Sequence, residues 1–257
     1  MENLDPTDPG DKFARLAAGI VTNLNSPDIV ALEEIQDNNG PTNDGTVAAD
    51  QTLDLFTAAI VAAGGPQYEW RQIDPVDLAD GGEPGGNIRV GFLFNPARVT
   101  FVDRPGGDAT TAVEVLAGPN CKPQLSVSPG RIDPASSAWL NSRKPLVGEF
   151  VFNDKTIFVV ANHFNSKGGD QPLFGRFQPP TRSSEVQRLA QAREVREFVG
   201  AVQAIDRNAN IVVLGDINDF EFSPTVDKLT EGGDINAEFW DQASDHDPQV
   251  VRIKPGN

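Results

Sequence analysis

The stretch Leu146-Val147-Gly148-Glu149-Phe150-Val151-Phe152-Asn153-Asp154-Lys155-Thr156-Ile157-Phe158-Val159-Val160-Ala161 holds two apolar runs on either side of a polar Asn153-Asp154 pair. Runs of β-branched and aromatic residues bounded by Asn and Asp read as strands joined by a tight turn, so 146–152 and 156–161 form a hairpin. Beyond it a loop over 164–180 leads to a long helix. Ser184 and Gln187 have the spacing of a capping box, and Val186, Leu189, Ala192, Val195 and Val199 follow at steps of three and four. Ile211-Val212-Val213-Leu214 is a short apolar run that suits a buried strand.

Working back toward the start, Ile88 opens a strand over 88–94, a turn falls at Asn95-Pro96, and a second strand covers 99–102. Residues 103–142 are rich in Pro and Gly and read as loop. Residues 46–63 read as a helix with Leu53, Phe56 and Ile60 on one face, stopped by Gly64-Gly65. Pro27-Asp28-Ile29-Val30-Ala31-Leu32 is a turn followed by a buried strand, and 249–253 is a closing strand. Strands and helices alternate, but hairpins interrupt the alternation. The pattern predicts an α/β (α+β) protein of mixed sheets with helices outside, not one doubly wound parallel sheet.

The 257 residues, 39% hydrophobic, suffice for one sizeable core, and a single domain of this length is ordinary. No apolar run approaches the ~18–20 residues of a membrane span, so no span is expected. Residues 1–20 lack a basic start followed by an apolar stretch, and no export signal is read there. The single cysteine, Cys121, excludes an internal disulfide and a cysteine metal cluster. The net charge of −16 excludes a protein that coats nucleic acid by bulk attraction. Within 143–196, however, nine Lys or Arg stand against five Asp or Glu, a local basic region that could meet a polyanion. The acidic remainder also suits an exported protein kept soluble by its charge.

Four segments put acids, amides or histidines at the end of an apolar strand, where a rigid scaffold presents side chains to a ligand. Leu32-Glu33-Glu34-Ile35 places two acids after a strand, and period-two alternation sends them to opposite faces, so that only one enters a site. Asn162-His163-Phe164-Asn165 precedes the Gly-rich loop Ser166-Lys167-Gly168-Gly169-Asp170. Gly215-Asp216-Ile217-Asn218 sets a carboxylate two residues from a carboxamide, on the same side of a continuing strand. That pair can bind a hard cation and donate a hydrogen bond to a phosphate oxygen or a water. Ser244-Asp245-His246-Asp247-Pro248 sets an acid beside a histidine. Both histidines of the chain lie in these segments.

In this order the four segments resemble the endonuclease/exonuclease/phosphatase (DNase I-like) superfamily. Ser142-Arg143-Lys144-Pro145-Leu146 and the Ser166–Asp170 loop resemble the branch of large extracellular bacterial nucleases. The resemblance implies a four-layer α/β/β/α sandwich with its site at one edge of the two sheets. It implies that Glu34 and Asp245 serve a metal, Mg²⁺ or else Mn²⁺ or Ca²⁺. It implies His163 and His246 as acid/base groups, and Asp216 and Asn218 as the pair that handles water and phosphate. Arg143 and Asn165 are the implied phosphate contacts. The implied substrate is nucleic acid, cut outside the cell or in the periplasm of a bacterium by a monomer or by one domain of a larger chain. The same resemblance leaves two other functions open: a phosphoesterase of lipid or inositol phosphate headgroups, and a binding domain impaired in catalysis.

The chain departs from the family at two places. Relatives begin with a strand that ends in an asparagine of the site, whereas this chain opens Met1-Glu2-Asn3-Leu4. Relatives also carry an aspartate–histidine motif between the segments of Asp216 and Asp245, and the interval 223–239 lacks it. The expectation is therefore a catalytic domain over 1–257 without its first strand and without a segment near 232–236. Across that gap, consecutive Cα atoms should lie further apart than the ~3.8 Å of a trans peptide.

Overall fold

The computed structural model of the chain describes residues 1–231 together with 253 and 255. Asp245, His246, nearly all of the expected closing strand and the 232–236 interval lie outside the described residues. The hairpin that opened the reading is present. Strand β8 (Leu146–Phe152) pairs antiparallel with β9 (Lys155–His163), and β10 (Asn210–Asp216) runs parallel to β9. On the other side of β8 lie β4 (Thr100–Phe101) and β7 (Gly130–Arg131). A second sheet has the order β1–β3–β2, from β1 (Ile29–Ile35), β3 (Arg89–Phe94) and β2 (Glu69–Gln72), with all pairs antiparallel. Leu4 adds a parallel bridge to Ile35 at the edge of β1. The stretch 103–142, expected to be loop, also holds the short ribbon β5 (Val115–Ala117) and β6 (Pro123–Leu125).

Three packed layers of side chains between these elements give the four-layer sandwich. Helices α1 (Gly10–Ala18) and α2 (Asp50–Ala62) bury Phe13, Ala17, Leu53, Phe56 and Ile60 against Leu32, Ile35 and Leu93 of the first sheet. The α2 face is the one its periodicity predicted, and Gly64, at φ +88°, ends the helix. Between the sheets, Val90, Phe92 and Phe94 of β3 meet Phe150, Ile157 and Val159 of β8 and β9. Phe150 sits at the centre, edge-on to Phe92, Phe94 and Phe101 at ring separations of 5.5, 6.0 and 4.9 Å. Beneath the second sheet, helix α3 (Glu185–Ile205) buries Ala192, Val195, Phe198 and Val202 against Val147, Phe158 and Val160. A short helix α4 (Pro224–Thr230) follows β10. Among the described residues no helix is long and apolar enough to cross a membrane.

Two expectations for α3 do not hold. Its buried face is Arg188, Gln191, Ala192, Val195, Phe198 and Val202, rotated from the predicted one, and Val186 is 75% exposed. Ser184 makes no cap hydrogen bond. Its hydroxyl instead bonds Asp170 Oδ2 at 2.5 Å and accepts from Arg188, while Gln187 donates to the carbonyls of Ala138 and Leu140. The first turns of α3 carry polar side chains inward because they face a loop and a carboxylate cluster instead of apolar strand residues.

Candidate functional site

The site forms where β1, β9 and β10 end together. β9 and β10 are in register through Asp216 opposite His163, so the histidine and the aspartate are neighbours across a parallel ladder. That close approach depends on Gly215. Its φ is +119°, and a Cβ there would lie 2.1 Å from the Asn162 carbonyl oxygen. Asn162 is buried and donates to the carbonyls of Val160 and Leu214, which ties the two strand ends together.

β1 contributes its acids through a bulge. Leu32 pairs with Gly91 and Ile35 with Arg89, so three steps on β1 match two on β3. Leu32 and Ile35 consequently both face the α1/α2 core. The extra residue falls at Glu34, whose φ of 56° is left-handed and costs a non-glycine residue about 1–2 kcal/mol. Such strain is retained where surrounding structure fixes it, often at functional sites. The alternation expected for Glu33 and Glu34 is thus broken, and both acids reach the site. Burial is the main force that pushes the Glu33 carboxyl up to about 7; Asp216 and Glu34 add to the rise, while the backbone N–H of Asp216 bonds the carboxylate and opposes it. Glu33 is the site residue that sequence reasoning missed; only its place beside Glu34 hinted at it.

His163 is almost wholly buried. Its Nε2 lies 3.9 Å from Glu34 Oε1 and 3.7 Å from Asp216 Oδ2. The histidine, Glu34 and Asp216 therefore share one centre. Asn218 is also left-handed, at φ 53°, a conformation Asn tolerates. Its backbone N–H donates to Asp216 Oδ1 at 2.7 Å, and its Nδ2 donates to Asp216 Oδ2 at 2.9 Å and to the Phe164 carbonyl at 3.2 Å. Aspartate and asparagine thus form one rigid unit.

Arg143 lies beneath this unit. Its Nη2 donates to the Phe164 carbonyl at 2.7 Å, and its Nε has no hydrogen-bond partner among the described residues. Burial lowers its pKa, and Asp216 and Glu34 oppose that shift, so the guanidinium is coupled to the acids of the site. Asn165 is part-buried, and its backbone N–H donates to Gln191 Oε1 at 2.9 Å.

A buried polar network holds the loop after β9. Arg188, with no exposed surface, bonds Asp219 at 2.9 Å, Asp170 at 3.3 Å and the carbonyls of Ser166 and Asn165 at 3.2 and 3.4 Å. Asp219 also receives Arg182 at 2.6 Å and Thr225 at 2.8 Å. Burial pushes the Asp219 carboxyl up, but Arg188, Thr225 and the N–H of Phe220 together hold it below the ordinary aspartate value. Lys144 is likewise spent on buried Asp80, at 2.6 Å. Of the nine Lys and Arg in 143–196, three are buried: Arg188 bonds the Asp219 carboxylate, Lys144 bonds Asp80 and Arg143 bonds the Phe164 carbonyl, while the others, Lys167, Arg176 and Arg182 among them, keep exposed surface.

The model of the Endonuclease/Exonuclease/phosphatase family matches residues 3–252. Solved structures of similar fold include D. rerio TDP2 complexed with a single strand DNA product, 14% identical, covering 87% of this chain and 60% of that one at a TM-score of 0.45. The human Nocturnin catalytic domain with bound sulfate is 11% identical, with coverage of 86% and 62% and a TM-score of 0.49. An endonuclease/exonuclease/phosphatase family protein from Bacteroides thetaiotaomicron is 12% identical, with coverage of 86% and 59% and a TM-score of 0.41. The chain spans about three fifths of the length of these structures. No curated protein matches the sequence. The family model runs through the segments of Glu34, His163, Asp216 and Asn218, three of which the fold gathers at one centre and the fourth of which is bonded to it, and the chain belongs to the Endonuclease/Exonuclease/phosphatase family.

Proposed function

We propose that this protein is a divalent-metal-dependent phosphodiesterase that hydrolyses nucleic acid, in the manner of an exported bacterial nuclease. The observation that carries the reading is the meeting of Glu34 and Asp216 on His163 at the shared end of both sheets, with Glu34 held in a strained conformation. A phosphodiester is anionic, so a site made of acids repels it unless a cation intervenes.

The residues fit a hard cation. Among the described residues no three acids or histidines converge as a closed ligand cage. Mg²⁺ does not need one, since it is commonly held by one or two carboxylates, with waters and substrate phosphate completing the shell. Glu34 would be the principal ligand, with the Glu33 carboxyl, pushed up to about 7 mainly by burial, beside it. When bound, the metal neutralises charge that grows on the phosphate in the transition state.

The chain's own groups have separable tasks. His163 Nε2, 3.9 Å from Glu34 Oε1 and 3.7 Å from Asp216 Oδ2, can hold or move a proton at the centre. Asp216, locked by the N–H groups of Asn218, orients a water or a histidine. Asn218 Nδ2, with both N–H groups bonded to Asp216 and the Phe164 carbonyl, would serve the phosphate site by fixing the Asp216 carboxylate. Arg143 and Asn165 are the proposed contacts to the phosphate, and Asp245 and His246 the proposed metal and acid/base groups of the last segment. The charge of −16 supports an exported setting, where it would aid solubility.

The test is plasmid and oligonucleotide degradation with Mg²⁺, Mn²⁺ or Ca²⁺ and with EDTA, for the parent protein and Glu34→Gln, beside a sphingomyelin headgroup-release assay. The expected result is metal-dependent cleavage of nucleic acid that falls at least ~10²-fold in Glu34→Gln, with an unchanged melting temperature. Full activity in Glu34→Gln overturns the metal assignment. Headgroup release without DNA or RNA cleavage overturns the substrate.

A further inference from the structure

Immediately after Asn218 the chain presents an aromatic and cationic surface that the chemistry above does not use. Phe220 and Phe222 stack with parallel rings, 5.3 Å between centroids and 2° between planes. The Lys167 ammonium lies 5.6 Å from the Phe220 centroid and the Arg182 guanidinium 5.4 Å from it. The outer ring, Phe222, is 63% exposed. That exposed ring, stacked on Phe220, sets apolar surface beside the site.

The surface is anchored to the acid centre. Phe220 is two residues from Asn218, so their Cα atoms are within ~7 Å. Arg182 is bonded to Asp219, and Lys167 stands on the loop that Arg188 holds by the carbonyls of Asn165 and Ser166. The same loop continues into a compact finger over 171–181. Gln171 N–H bonds the Thr181 carbonyl at 2.9 Å, closing its base, and Gln178 bonds the carbonyls of Leu173 and Gly175 at 3.1 Å each. That finger exposes Phe174 and carries Arg176 4.5 Å from the Phe177 ring. Aromatic rings paired with cations thus recur on both segments that leave the site.

We propose that the Phe220–Phe222 pair, with Lys167, is a stacking platform for unpaired nucleobases of the strand whose phosphate enters the acid centre. Every base has a π-face, and base–aromatic stacking is tolerant of sequence. The cation meets the adjoining phosphate, which gives a local attraction that an acidic chain otherwise lacks. In a duplex the base faces are already stacked on one another, so the platform selects single-stranded or frayed nucleic acid. This inference rests on the nuclease reading and narrows its substrate.

The test is fluorescence anisotropy of a labelled, cleavage-resistant phosphorothioate oligothymidylate with the parent, Phe222→Ala and Phe222→Trp, in Mg²⁺ at low salt so that the cation is present and the strand stays intact. A blunt duplex of equal length and an oligouridylate, both with the same phosphorothioate backbone, are measured alongside. We expect Phe222→Ala to weaken single-strand binding roughly tenfold, Phe222→Trp to keep it, and duplex binding to be weaker and insensitive to both. The two oligomers show whether DNA or RNA bases are preferred. A Phe222→Ala protein that binds within about twofold of the parent, equal losses on strand and duplex, or a parent that does not bind the strand overturns the platform. Turnover of bis(4-nitrophenyl) phosphate with Mg²⁺ is read separately. Its absence in the parent counts against the phosphodiesterase reading, and its equality in the parent and Phe222→Ala separates base binding from chemistry.

Discussion

Replacing Arg188 with methionine tests whether the polar plug under the site holds it in place. Methionine keeps the unbranched apolar stem but removes the charge and every donor. Removing one partner of a buried ion pair costs about 3–5 kcal/mol, because the other charge is left buried without its counter-ion. Here Asp219 keeps Arg182 at 2.6 Å and Thr225 at 2.8 Å, and Asp170 keeps Ser184 at 2.5 Å. The low end applies, about 3 kcal/mol. For a chain of this size each kcal/mol moves the melting temperature by roughly 2–4 °C, so the expected fall is roughly 6–12 °C by calorimetry. The loop carbonyls of Asn165 and Ser166 lose an anchor at the same time. A displacement of ~1 Å near the reacting groups costs up to ~10²-fold in rate, so the proposed nuclease activity should fall more than stability alone explains. A melting temperature within about 2 °C of the parent refutes the plug as a structural support.

Gly215→Ala should destabilise by roughly 3 kcal/mol or more, since the added methyl meets the Asn162 backbone and the φ of +119° disfavours a side chain. An unfolding free energy from urea titration that falls by less than about 1 kcal/mol would sink the close-approach argument. The Asp219 carboxyl is held below its ordinary value of 3.8, so its stabilisation is present in full above that value and is lost as pH falls through the folded-state value. Urea titrations from neutral pH down through this acid window should show the loss in the parent and a shallower one in Asp219→Asn; equal slopes refute it. For the acid/base role proposed for His246, His246→Ala should slow the proposed cleavage at least ~10²-fold, and a loss below tenfold assigns that histidine a structural role.

What could be read from local pattern proved sound where the signal was local. The hairpin of β8 and β9, the α2 face and the β10 run all follow from spacing of apolar residues along a few turns or pleats, and they were found at close to their expected limits. The gathering of Glu34, His163 and Asp216 was also legible, because each ends an apolar strand and strand ends of a sandwich lie together. The misreadings have a common cause. Ser184 and the first turns of α3 were assigned by rules for an isolated helix, but Asp170 and Asp219, brought in from elsewhere in the chain, claim Ser184 and Arg188. Three cations of the basic stretch, Arg143, Lys144 and Arg188, turned inward, because a sequence shows charge without showing burial.

The sequence by itself determined the layered α/β class and the chemical kinds of group that reach the site, since periodicity and side-chain chemistry are written residue by residue. Only the tertiary structure decided that Glu33 joins Glu34. One extra residue on β1 opposite Gly91 and Arg89 turns both acids to the same side, and a bulge is a property of the pairing between two strands that neither strand carries alone.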